Sequence, residues 1–234
     1  MATFIFVHGM WHGGWCWKKV APLLRSAGHE VLAPTLTGLG ERAHLHLSEI
    51  DFDLHIRDIV AVLEYEDVHD GILVGHSYGG TMVLSIAGQC YKRLTHLVNL
   101  DGPLPVHGQM FRELFPDTWE FFQQQAVSYG EPEWVPVPGD WTFGVSGEDL
   151  GWLQSKCTPH PLRTWLTPIY CDSPQALALP RTFICCAEEM TAHEIVADEQ
   201  RCVQQGWQYR YLVTGHDAML TEPEALVQLL LGCL

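Results

Sequence analysis

The segment Gly75-His76-Ser77-Tyr78-Gly79 lies between an apolar run, Gly71-Ile72-Leu73-Val74, and a helix-forming stretch from Thr81 to Cys90. A strand that passes into a helix through a single tight turn forces the central serine into a strained backbone. Glycines two residues to either side remove the Cβ atoms that would clash there. The hydroxyl is then raised above the sheet edge, at the positive end of the following helix. Ser77 is therefore a candidate nucleophile.

The rest of the chain reads as alternating strands and helices. Thr3 to Val7 is an apolar strand followed by His8-Gly9-Met10-Trp11-His12-Gly13-Gly14-Trp15. Trp15 to Ala27 has helical spacing with Gly28 as a stop, and His29 to Ala33 is a short strand ending at Pro34. Thr35 to Ser48 is a loop. Asp51 to Tyr65 is a helix with Ile56, Ile59, Val60 and Leu63 on one face. After the Ser77 turn and its helix, Thr95 to Leu100 is the next strand, ended by Asp101-Gly102-Pro103. Arg181 to Cys186 is a buried strand, a helix covers roughly His193 to Gln205, and Gln208 to Val213 leads into Gly215-His216-Asp217. The last helix starts at Thr221-Glu222-Pro223-Glu224, with Thr221 as N-cap and Glu224 closing a capping box. Six strands that are continuous apolar runs, alternating with helices, indicate an α/β class chain with a mostly parallel sheet covered on both faces. His216 then sits on a loop at a strand's C-terminal end, where open α/β sheets place their chemistry.

The rhythm breaks between the two core segments, 1–101 and 180–234. Residues 102–179 are rich in proline and carry Trp119, Trp134, Trp141, Trp152 and Trp165. An insertion this long and apolar is no simple loop. It is expected to form a lid over Ser77 that supplies an apolar pocket, with an appended lobe packing its own small core as the structural alternative. Gly9, Trp11, Trp119, Trp134 and Trp152 are the expected substrate-binding residues.

Composition narrows the partners. A chain of 234 residues with 13 basic and 28 acidic residues has a formal charge of −15, which repels phosphate backbones and anionic membranes. Neither nucleic acid nor membrane is an expected partner; a small molecule is, and a homodimer is left open. Of the eight cysteines, Cys185 and Cys186 lie in an apparent core strand and Cys90 and Cys202 on expected helices; with no Cys-x-x-Cys spacing and no leader or membrane-spanning run, free thiols and a cytoplasmic location are expected. The pairs His8/His12 and His44/His46 lack a third ligand, and no metal is expected.

Three motifs resemble one family: Phe-Val-His-Gly-x-Trp-His-Gly-Gly-Trp-Cys-Trp near the start, Gly-His-Ser-x-Gly-Gly in the middle, and Gly-His-Asp-Ala-Met-Leu near the end. They look like the α/β-hydrolase branch that contains plant methyl esterases, hydroxynitrile lyases and small bacterial esterase relatives. The resemblance implies an α/β-hydrolase fold with Ser77 as nucleophile, His216 as base, and the backbone N–H groups of Met10 and Tyr78 as oxyanion hole. Relatives carry an aspartate three residues after a cysteine that ends the strand, and that spacing lands here on Glu189. Glu189 is thus the expected acid, ahead of Asp101 after the preceding strand, with Glu188 behind both.

The implied chemistry is two-step acyl transfer on a carboxylic ester, a methyl ester among the candidates, of a small apolar or aromatic acid, with no cofactor. A lyase reading is disfavoured, because family lyases resemble one another in a lysine after the histidine and a threonine after the first-strand histidine. Those positions hold Asp217 and Gly9 here. Dehalogenases and epoxide hydrolases use a carboxylate nucleophile where this chain has Ser77. A small-molecule receptor on the same fold is the alternative of a different class.

Overall fold

The computed structural model describes every residue except His46, so the pairing of His44 with His46 lies outside the described residues. In chain order the first half contains β1 (Thr3–Val7), α1 (Val20–Ser26), β2 (Glu30–Leu32), α2 (Phe52–Tyr65), β3 (Gly71–His76), α3 (Tyr78–Cys90) and β4 (Leu94–Leu100). The insertion follows with α4 (Phe111–Leu114), α5 (Pro116–Tyr129), β5 (Trp134–Val135), α6 (Gly147–Gln154), β6 (His160–Pro161) and α7 (Pro174–Leu177). The chain ends with β7 (Arg181–Cys186), α8 (Ala192–Gln204), β8 (Gln208–Leu212), α9 (Ala218–Thr221) and α10 (Pro223–Leu231). Six strands form one sheet in the order β2-β1-β3-β4-β7-β8, every neighbouring pair parallel.

Alternation along the strands builds two cores. Ile5, Val7 and Leu73 face α2 and α3, packing with Ile56, Ile59, Met82 and Ile86. Phe4, Phe6, Ile72 and Val74 face the other way, onto Leu24 of α1 and Leu226 and Leu230 of α10. Both faces being covered is what requires the inner strands to be mostly apolar, whereas the edge strand β8 is largely polar and exposed. The chain leaves β1 toward β2 on one side and then builds β3, β4, β7 and β8 on the other. The crevice beyond the C-terminal ends of β1 and β3 is therefore the topological switch point of the sheet, the place such sheets offer a ligand.

Two local expectations are corrected. The segment 15–27 is not one helix. A 3-10 turn over Gly14–Lys18 precedes α1. Pro22 fits only a first helical turn, so the α-helix cannot begin much earlier. Thr221 does not cap the last helix either: it ends α9, and its hydroxyl lies 2.6 Å from that of Thr214. Glu222 flanks α10 without a side-chain cap bond, although Pro223 does occupy its first turn. A capping box does form at α8, between Thr191 and Glu194.

The insertion is fully folded. β5 and β6 pair antiparallel, and Phe111, Phe122, Ala126, Val135, Leu162 and Trp165 are buried in one continuous cluster with the α2–α3 side of the sheet. Val145 and Leu153 join the opposite core. In place of the separate small core of the structural alternative, its buried residues are continuous with the two main cores. Among the described residues no helix is long and apolar enough to cross a membrane.

Four fully buried histidines are kept neutral by burial. Nε2 of His8 accepts from the Leu36 N–H at 3.0 Å, leaving Nδ1–H to donate to the Gly9 carbonyl at 2.8 Å. His55 donates Nε2–H to the Thr37 carbonyl at 2.9 Å and accepts from the Tyr78 hydroxyl at 2.9 Å. His76 donates to the His216 carbonyl at 3.0 Å, and His160 lies 3.0 Å from the Thr164 hydroxyl. Burial pushes His8 and His76 down to about 3 and His55 to about 4, and depresses His160 strongly.

The unfolded chain takes up protons on these four rings below the ordinary imidazole value of 6.5, whereas the folded one does not. Stability from this source is present above that pH and lost as pH falls, through a window that ends at about 4 for His55 and about 3 for His8 and His76. Each ring contributes about 1.4 kcal/mol per pH unit, so four contribute about 5.6 kcal/mol per unit, against a typical total of about 5–15 kcal/mol. Urea unfolding at pH 7.5, 6 and 5 is expected to show a steep fall in midpoint below pH 6. A flat profile down to pH 4.5 would show that these rings titrate normally in the fold.

Candidate active site

Ser77 occupies the junction of β3 and α3 with φ 54° and ψ −119°, a left-handed conformation that costs a residue with a side chain on the order of 1–3 kcal/mol. Its N–H bonds to the Leu100 carbonyl at 2.9 Å and its carbonyl accepts from Thr81 at 3.2 Å. The glycines around it are there because backbone meets backbone. A Cβ on Gly75 would lie 2.1 Å from the Gly79 carbonyl oxygen, one on Gly79 2.5 Å from the Val7 oxygen, and one on Gly102 2.3 Å from the Ser77 oxygen. The pairing of Val7 with Gly75 ends β1 and β3 together, so the turn after β1 arrives beside the elbow. A Cβ on Gly9 would come within 3.0 Å of the Ser77 Cβ.

His216 follows β8 and is held from two sides. Its carbonyl accepts the His76 bond just described, and its Nδ1 lies 2.6 Å from Oδ2 of Asp101. Asp101 sits directly after β4, at φ 53°, with its N–H donating to the Ile184 carbonyl at 2.8 Å. Its other carboxylate oxygen, Oδ1, accepts from the Cys186 N–H at 2.9 Å. One oxygen is fixed to the end of β7 and the other is aimed at the imidazole. Burial opposes a charge on His216, but the hydrogen bond and charge of Asp101, with the charge of Asp217, outweigh it and raise its pKa above 6.5.

The expected acid is therefore corrected. The carboxylate that bonds His216 is Asp101, not Glu189. After Cys186 the backbone stays with β8, through Ala187 N–H to the Leu212 carbonyl and Glu188 N–H to the Thr214 carbonyl, and then turns at Ala187–Met190. Glu189 ends up exposed on the rim of the cavity, and Glu188 is exposed as well.

Gly9, Met10, His12, Ser77, Tyr78 and His216 line one cavity of about 710 Å³. Its remaining wall is a contiguous set of rings: Trp11, Phe111, Phe115, Phe122, Trp141, Phe143 and Trp165. Trp11 meets Trp141 edge-on at 5.2 Å and Phe122 at 5.6 Å, while Phe122 meets Trp165 at 5.0 Å. Pro103, Thr118, Asp140, Thr142 and Glu189 complete it, so among the described residues no lysine or arginine lines it. Tyr78 opens α3, where the first N–H groups of a helix have no intrahelical acceptor. Its hydroxyl, bonded to His55, is buried away from water.

Of the expected substrate-binding residues, Gly9 and Trp11 line this cavity and three do not. Trp119 stacks behind Trp165 at 6.4 Å, Trp152 packs edge-on against Trp15 beneath Lys18, and Trp134 lines a separate surface groove. The wall residues missed by the sequence reading are mostly phenylalanines, together with Trp141 and Trp165. A tryptophan count in the insertion carries no information on which face of α5 or of the 141–143 segment turns inward. Asp217, which stands where family lyases resemble one another in a lysine, is fully buried and bonded to His12. Gly9, at the other position of that pattern, is crowded against Ser77.

The alpha/beta hydrolase family model matches residues 4–229, and the chain belongs to that family. It is 34% identical over 237 residues to the carbendazim hydrolyzing esterase of a Nocardioides species, covering 97% of this chain and 98% of that one. It is 28% identical to the pheophorbidase of Raphanus sativus over 80% of this chain and 76% of the relative. In three dimensions it superposes on an extracellular alpha/beta-hydrolase from a Paenibacillus species with a TM-score of 0.82 at 19% identity, covering 100% and 99% of the two chains. The methylesterase MES16 of Arabidopsis gives 0.74 at 24% identity, covering 99% and 98%; both likenesses are of fold.

If Asp101 orients His216, Asp101→Asn lowers kcat on an activated ester by about 10⁴, while Glu189→Gln stays within a few-fold of wild type. The acid limb of kcat/KM in the parent enzyme has its midpoint above 6.5, because His216 must be deprotonated to act as base and its pKa is raised. Asp101→Asn removes the largest raising influence, so the residual activity titrates at lower pH. Full activity in a folded Asp101→Asn variant would return the acid to another carboxylate.

Proposed function

We propose that Ser77, His216 and Asp101 act as a triad that cleaves a carboxylic ester through an acyl-enzyme, with the N–H groups of Met10 and Tyr78 receiving the oxyanion. The chain is a carboxylic ester hydrolase, in keeping with relatives that carry esterase and methylesterase names across almost its whole length. The observation that carries the reading is the Asp101–His216 bond of 2.6 Å in the same cavity as a serine held at φ 54°. His216 takes the Ser77 proton as the hydroxyl attacks the carbonyl, and the imidazolium that forms is stabilised by Asp101. The two amides, one on the turn after β1 and one at the start of α3, then lie on either side of the developing negative charge. His216 returns the proton to the leaving alcohol, and the same base activates water for deacylation.

The ring-lined wall supports an apolar, aromatic substrate class. Seven aromatic side chains and no lysine or arginine favour a flat, uncharged aromatic or polycyclic group, and a small alcohol such as methanol suits the crowding at Gly9. With Asp140 and Glu189 at the rim, a substrate bearing a free carboxylate meets like charge. The carboxylate product is disfavoured in the same way, which aids its release.

Ser77→Ala is expected to lower kcat by on the order of 10⁶, with His216→Ala similar and the double variant hardly worse. A burst of p-nitrophenol followed by steady turnover in the parent, absent in Ser77→Ala, checks it; a burst without turnover would favour a receptor. Trp141→Ala and Trp165→Ala are expected to lower kcat/KM for an aryl-acyl methyl ester at least tenfold more than for an acetate, while Trp152→Ala leaves that ratio unchanged. Equal losses for both esters would assign the wall a purely structural part.

A further inference from the structure

Directly behind the catalytic groups lies a second histidine–carboxylate pair that the triad does not use. Nε2 of His12 is 2.9 Å from Oδ2 of Asp217, and the two side chains are 1% and 0% exposed. Nδ1 of His12 is 2.6 Å from the Met10 carbonyl oxygen. That oxygen can only accept, so Nδ1 carries hydrogen, and the contact to the carboxylate requires a further proton between the partners. The pair is therefore an imidazolium beside a carboxylate, enclosed by the Trp15 ring, the edge of Phe143 and His76. The nearest other titratable groups are His76, whose Nε2 is 3.7 Å from Oδ1 of Asp217, His216 itself, and the thiols of Cys16 and Cys157.

Burying two charges costs several kcal/mol per ion before their attraction offsets it, so a pure packing role is better filled by apolar side chains. Its position in the chain gives the pair another role. Met10 belongs to the turn after β1, and Asp217 is the neighbour of His216. We propose that His12 and Asp217 are positioning residues that tie the Met10 turn to the catalytic histidine's loop, so that the oxyanion donor and the base keep one spacing. The proposal rests on the triad reading above. His76 makes the matching tie from the elbow to the same loop, through its bond to the His216 carbonyl. Ser77, Met10 and His216 are thus cross-linked by three side chains, those of His12, Asp217 and His76. A displacement of about 1 Å in such a site costs about 10²-fold in rate.

The test compares Asp217→Ala with Asp217→Asn on p-nitrophenyl acetate and on an aryl trifluoromethyl ketone, which forms a hemiketal oxyanion with the serine. Asp217→Ala is expected to lose 10–100-fold in kcat with KM within about twofold, and ketone affinity falls by the same factor. Asp217→Asn, whose amide can donate to a neutral His12 Nε2 while Nδ1–H keeps the Met10 bond, recovers most of the loss. Unaltered kcat in folded Asp217→Ala overturns the proposal, as does a loss carried by KM alone. Should Asp217→Ala fail to fold, the parent protein labelled with ¹⁵N-histidine still decides. A ring with both nitrogens protonated at pH 8 and close to the Trp15 protons is expected, and a ring there with one unprotonated nitrogen overturns the proposal. A parent protein inert toward every ester sinks the triad reading itself, which is distinct from loss confined to the Asp217 variants.

Discussion

Backbone-to-backbone contact at the elbow is the constraint from which the rest follows. β3 passes into α3 so tightly that Gly75 meets Gly79, Gly79 meets the end of β1, and Gly102 after β4 meets the Ser77 carbonyl. No side chain fits between them, so the ends of β1, β3 and β4 are held at one distance. The strain in Ser77 is affordable because two parallel neighbours and a fully buried helix over-determine it. Once those ends are fixed, the turn carrying Met10 and the carboxylate of Asp101 have little freedom in where they lie.

The charged groups of the site then arrange themselves in two tiers. The upper tier pairs His216, which lines the cavity, with Asp101 bonded to its Nδ1. The lower, His12 and Asp217, is almost completely buried. Burial alone would discharge both histidines, and in each case a bonded carboxylate outweighs it. The other buried histidines have no carboxylate hydrogen-bonded to the ring; even His76, 3.7 Å from Oδ1 of Asp217, makes its bond to the His216 carbonyl, and burial depresses all of them. The difference between a raised and a depressed buried ring is thus whether a carboxylate is bonded to it.

Much of this was legible in the chain. The apolar runs at β1, β3, β4 and β7 located the strands to within a residue or two, because strands buried on both faces carry few polar positions to blur them. Gly-x-Ser-x-Gly and the late Gly-His pointed to Ser77 and His216, which line one cavity. The carboxylate beside His216 was harder to place, because a spacing counted from Cys186 assumes that the chain continues straight, and it turns at Ala187. Asp101 looked like a turn residue, and it does shape a turn; a positive φ is what frees its second oxygen for His216. The ring wall was illegible for a related reason. Periodicity shows that α5 and the 141–143 segment are apolar but not which ring of each faces Ser77.

Trp11 joins these features in a way that bears on how the pocket can evolve. At φ 64° it projects from the turn after β1 into the insertion, donating its indole N–H to the Val135 carbonyl at 3.0 Å and accepting at its own carbonyl from Thr158 at 2.9 Å. The insertion is therefore stitched to the residue next to Met10. It cannot swing as a hinged lid without pulling on that turn. Exchanging the whole insertion for a foreign one would disturb catalysis as well as selectivity. Changing single rings within it leaves the stitch intact, so new substrate preferences are most readily reached by one aromatic side chain at a time.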